Sequence, residues 1–100
     1  MLGPMTLDDV KRLIANHEAE IRAYGVRRLW LFGSTARGDA GPESDLDLLV
    51  AFEAPCSYDQ YSGLRFFLED LFGQTVDLVP EDGLRPRVRP FVERDAIRVA

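Results

Sequence analysis

Asp45 and Asp47 stand two apart in the run Ser-Asp-Leu-Asp-Leu-Leu-Val, and Asp77 interrupts Thr-Val-Asp-Leu-Val in the same manner. Side chains of an extended strand alternate between faces, so Asp45 and Asp47 share one face while Leu46 and Leu48 fill the other. If the two segments are neighbouring strands, all three acids meet on one patch of sheet. Clustered carboxylates repel one another and are costly to bury unpaired, so such a patch needs cations between them. Hard oxygen ligands suit Mg²⁺ or Mn²⁺. A single Asp is a common strand or turn boundary; Asp-x-Asp within an apolar run, with a third Asp in another strand, is a different pattern. An EF-hand is excluded, because Leu48, Leu49 and Val50 fall where that loop requires oxygen ligands and a glycine.

Upstream lies Gly33-Ser34-Thr35-Ala36-Arg37-Gly38-Asp39. Gly33 and Gly38 have the glycine spacing of a Walker A loop, but Asp39 stands where that loop requires lysine, so the motif fails. What remains is a glycine turn leading into a short helical turn. Its backbone N–H groups, the Ser34 hydroxyl and the Arg37 guanidinium are the groups that hold phosphate at such places. On its own, Gly-Ser after a strand is an ordinary turn.

The elements that must position these groups follow from periodicity. Thr6 and Asp9 make an N-cap with an acidic first turn, and Leu7, Val10, Leu13, Ile14, Ile21 and Tyr24 recur at helical spacing, predicting one helix over 7–24 that stops at Gly25. Val26 to Phe32 reads as a first strand, and Asp45 to Phe52 as a second, largely buried one. Tyr58, Tyr61, Leu64, Phe67, Leu68, Leu71 and Phe72 form another helical stripe ended by Gly73, followed by a third strand over 75–79 closed by Pro80. In the last stretch a helix over about 86–94, with Pro86 in its first turn, precedes an extended end at 97–99. The expected architecture is α/β (α+β), a small mixed β-sheet with helices packed on it, as one domain over residues 1–100.

Gly33-Ser34, ten intervening residues and then Asp45-x-Asp47 make a pattern that resembles the DNA polymerase β-like nucleotidyltransferase superfamily, and in particular its minimal members, the MNT domains. The resemblance covers nearly the whole chain, including the Asp77 strand and an arginine-rich end. It implies that Gly33 and Ser34 hold the β- and γ-phosphates of a nucleoside triphosphate, with Arg37 steadying phosphate charge. It also implies that Asp45 and Asp47 ligate two Mg²⁺ ions (Mn²⁺ as the substitute) and that Asp77 is the third carboxylate. In two-metal phosphoryl transfer the metals serve the attacking hydroxyl and the leaving pyrophosphate, leaving little covalent work to the protein.

MNT proteins are similar to antitoxins encoded beside helical HEPN-domain RNases. The resemblance therefore implies transfer of AMP from ATP to a tyrosine of such a partner, the 100 residues leaving no room for an acceptor domain of their own. Two other classes are weighed: a catalytically idle module that masks its partner, and a transferase acting on a small molecule or RNA. The net charge of −5 and the lack of a basic, aromatic-studded strand argue against nucleic acid as partner. The charge is uneven, with +3 from Gly83 onward and −8 before it.

Of the 12 basic residues only Lys11 is lysine, which suits phosphate recognition or simply a GC-rich or heat-adapted genome. The longest apolar stretches fall far short of the roughly 20 residues that cross a bilayer, and the N-terminal region lacks a signal-peptide pattern, which places the protein in the cytoplasm away from membranes. The lone Cys56 has no internal disulfide partner. His17 falls on or beside the apolar stripe of the first helix and reads as a residue at the edge of that stripe rather than a metal ligand. Trp30 is either core or a ring beside the nucleotide, and the C-terminal arginines face triphosphate, an acidic partner or solvent.

Overall fold

The acidic first turn of the N-terminal helix begins with a reciprocal cap. Asp9 N–H donates to Thr6 Oγ1 and Thr6 N–H to Asp9 Oδ2, both at 3.1 Å. The computed structural model of the chain describes residues 6–38, 45–55, 57–87 and 89–100, and only the backbone of Ser34 and Phe91. Instead of one helix over 7–24 there are two, α1 (Leu7–Asn16) and α2 (Glu18–Ala23). His17 breaks them. Its N–H donates to Ile14 O at 3.1 Å rather than to Leu13 O, and its ring Nδ1, 3.0 Å from Leu13 O, donates there in its place. With the carbonyl satisfied by the ring, the ladder can open at no hydrogen-bond cost.

Next come β1 (Val26–Phe32), the short α3 (Ser34–Arg37), β2 (Leu46–Phe52), α4 (Tyr58–Phe72), β3 (Val76–Pro80), a 3₁₀ turn (Glu81–Gly83), α5 (Arg89–Asp95) and β4 (Ile97–Arg98). The four strands lie in the order β3-β2-β1-β4. β2 and β3 run parallel, joined by α4 as crossover, and the other pairs are antiparallel. This is the mixed sheet with packed helices expected from the pattern.

Alternation sorts the strand residues into two faces. Leu29, Leu31, Leu46, Leu48, Val50, Val76 and Leu78 point to one face and form a single buried cluster with Val10 and Ile14 of α1, Ile21 of α2 and Leu64, Leu68 and Phe72 of α4. Trp30, Phe32, Asp47, Leu49, Asp77 and Val79 belong to the other face. Trp30 there is half-buried, level with Leu49 and Arg98. Leu49, Ala51 and Val92 are also buried but outside the main cluster, so this second face is closed in its middle and more open toward Asp77.

The last helix departs from expectation. It starts at Arg89, not near Pro86, which lies in a turn. A helix begun at Pro86 would place Pro90 in its interior, where the missing N–H and the ring's clash with the carbonyl four residues back disrupt the ladder. Starting at Arg89 puts Pro90 in the first turn, where no N–H is needed. The extended end shortens to β4, although Val99 and Ala100 still donate to Leu29 O at 2.8 and 3.1 Å.

β3 is an edge strand, and α4 covers its outward polar groups. Tyr61 O–H donates to Leu78 O, and Glu69 Oε2 accepts from Val76 N–H at 3.0 Å. Tyr61→Phe is expected to cost about 1 kcal/mol by stranding the Leu78 carbonyl, seen as a lower urea midpoint with unchanged slope.

Candidate active site

Gly33 ends β1 with φ +77°, a left-handed conformation that an L side chain adopts only under strain. A second reason for glycine is space. A Cβ at Gly33 would run into the Asp47 carboxylate, with Asp47 Cγ and Cβ only 3.1 and 3.3 Å away. The turn after β1 and the second acid of the Asp-x-Asp pair are therefore in contact. α3 then turns once, Arg37 N–H donating to Gly33 O at 3.1 Å, and Gly38 ends it with φ +83°.

The strand register assembles the acids. Asp47 lies opposite Phe32 across the antiparallel pair and opposite Asp77 across the parallel one. Neighbouring strands are about 4.8 Å apart, so Asp47 and Asp77 start side by side on one face. Asp45 is exposed just before β2, Asp77 is exposed, and Asp47 is half-buried. Burial, first of all, holds the Asp47 carboxyl above the ordinary carboxylate range; the charges of Asp77 and then Asp45 push it the same way, and Arg37 pulls it back.

Four of the residues singled out from the sequence are thus electrostatic neighbours: Asp45, Asp47, Asp77 and Arg37. The Ser34 side chain, Asp39, Ser44 and Cys56 lie outside the described residues. Arg37 has a partner that sequence reasoning missed, its Nη1 donating to Asp95 Oδ2 at 3.1 Å. Fifty-eight positions separate the two, and no local pattern couples them. Phe32 was also missed. Period-two alternation from the buried Leu31 was the signal that could have placed it on the acidic face.

The donor set fits a divalent cation in kind: three carboxylates, hard oxygen donors, whose mutual repulsion is relieved by positive charge. Among the described residues no group of three or more His, Cys, Asp or Glu side chains stands where it could together hold a metal ion. Asp47 and Asp77 are side by side on the sheet, with Asp45 just before β2.

A curated protein named protein adenylyltransferase MntA, from Thermococcus cleftensis, is 36% identical over 98% of this chain and 100% of its own length. A protein provisionally named a protein adenylyltransferase in Methanocaldococcus jannaschii is 35% identical over 94% and 98%. A solved structure provisionally named a minimal nucleotidyltransferase superposes with a TM-score of 0.74 at 45% identity, covering 88% of this chain and 93% of that one. A toxin-antitoxin complex solved with AMP-PNP contains a chain of the same fold, with a TM-score of 0.74 at 20% identity over 90% of this chain and 72% of that one. The sequence profile described as nucleotidyltransferase domain matches residues 14–99, and with the relatives above it shows that this chain belongs to the nucleotidyltransferase family of enzymes.

Proposed function

We propose that the chain is a protein adenylyltransferase acting in the cytoplasm as a single minimal domain, which moves AMP from ATP to a hydroxyl of a helical HEPN-type partner protein. The observation that carries this reading is the contact of the Gly33 turn with Asp47, itself level with Asp77. The turn that this reading assigns to phosphate lies within one small patch with the two acids. The kinship over full length with a protein named an adenylyltransferase supports the choice of reaction.

In this reading the backbone N–H groups after Gly33 and the Ser34 hydroxyl hold the β- and γ-phosphates, and Arg37 balances their charge. Asp45, Asp47 and Asp77 would hold two divalent cations, Mg²⁺ by preference, which would neutralise charge on the triphosphate and on the attacking oxygen. The acceptor oxygen forms a bond to the α-phosphorus while the bond to the bridging oxygen of pyrophosphate breaks. Asp77, exposed on the sheet, takes the hydroxyl proton. Among the described residues no helix is long and apolar enough to cross a membrane.

Incubating the purified chain with labelled ATP, Mg²⁺ and a helical protein encoded beside it tests the reading. Label on a tyrosine of the partner, lost on chelation, is the expected result. ATP bound without pyrophosphate release would replace the enzyme with a module that only masks its partner, and label on RNA or on a small acceptor would change the substrate class.

A further inference from the structure

Asp95 closes α5, a place where a carboxylate does not help the helix, because the C-terminal end carries partial negative charge and favours cations. Its Oδ2 accepts instead from Arg37 Nη1 at 3.1 Å. The two side chains are 24% and 48% exposed, and a pair this open adds little to stability. Its effect is on location. Asp95 is anchored on both sides: Val92, one turn earlier, is buried, Ala96 N–H donates to Val92 O at 2.9 Å, and β4 begins at Ile97, opposite Leu31. Arg37 is tied to the other end of the arrangement by its N–H on Gly33 O. Its charge also acts on the Asp47 carboxylate, which places the guanidinium in the neighbourhood of the acids.

We propose that Asp95 is a positioning residue that holds the Arg37 guanidinium beside the Gly33 turn and off the carboxylates of the sheet, so that the phosphates of a nucleoside triphosphate meet a cation already in place. The inference rests on the adenylyltransferase reading and extends it to a residue that acts through Arg37. A preoriented cation lowers the ordering cost of binding.

The test is a calorimetric titration of ATP with Mg²⁺ into the wild type, Asp95→Asn, Arg37→Gln and the double variant, with initial rates on the same four proteins. Asp95→Asn is expected to raise both the ATP dissociation constant and KM by about five- to tenfold, to change kcat by less than about twofold, and to leave Tm close to wild type. In the Arg37→Gln background the same substitution should change nothing further, because the two residues act as one unit. Asp95→Glu should restore part of the affinity. Wild-type ATP affinity in Asp95→Asn, or an undiminished loss in the Arg37→Gln background, overturns the proposal alone. A wild-type chain that takes up no ATP overturns the adenylyltransferase reading and this inference with it.

Discussion

Asp47→Asn is expected to melt at a higher temperature than the wild type at neutral pH while losing roughly 10³-fold or more of its Mg²⁺-dependent AMP transfer. The two effects have one cause. Burial and the charges of Asp77 and Asp45 raise the Asp47 carboxyl in the folded state. A group whose folded pKa lies above its unfolded value favours folding when protonated, and that contribution is lost as pH rises through the folded pKa. Above that pH the ionised carboxylate opposes folding, and asparagine, nearly the same shape, removes the opposition. The stability gain should therefore shrink as the pH is lowered toward the unfolded carboxylate range. Mg²⁺ should raise the wild-type Tm and leave the variant nearly unmoved, since the cation relieves the same repulsion. Thermal melts across pH with and without Mg²⁺, beside rates, check all three; a variant that keeps its turnover would remove Asp47 from the site.

Gly33→Ala should damage stability and activity together. The left-handed backbone costs an alanine about 1–2 kcal/mol, roughly 5–15 °C in Tm for a domain of this size. The new methyl also meets the Asp47 carboxylate and must push it aside. A displacement of about an ångström in a site that works by positioning lowers transfer by about 10²-fold. Gly73→Ala separates the two causes. Gly73 has φ +69°, yet a Cβ there meets nothing within 4 Å, so this variant should lose comparable stability and keep its transfer rate. If Gly33→Ala and Gly73→Ala transfer AMP equally well, the contact between the turn and Asp47 has no part in the reaction.

What was legible in the chain was local and periodic. The stripe from Tyr58 to Phe72 with Gly73 behind it, the strand before Gly33, and the alternation that set Asp47 apart from Leu46 and Leu48 all depend on neighbours within a few residues. The break at His17 was hidden because an apolar stripe keeps its spacing when a ring nitrogen replaces one backbone donor. The start of α5 turned on which of two prolines would fall in a first turn, a competition that spacing alone does not decide. Asp95 was illegible for a third reason: its partner Arg37 is distant in sequence and is brought near by the tertiary fold, in which β4 pairs with β1.

The level pairing of Asp47 with Asp77 in the parallel strands bears on errors of assembly. Were β3 to dock one residue out of step, every side chain would exchange faces, sending Asp77 among the leucines and bringing Val76 and Leu78 to water. A charge inserted into that layer has no counterion to meet it, so misaligned molecules would be much less stable than correctly aligned ones. Asp77 thus also acts as a proofreading mark for folding, because its charge disfavours the register in which the acidic patch is lost.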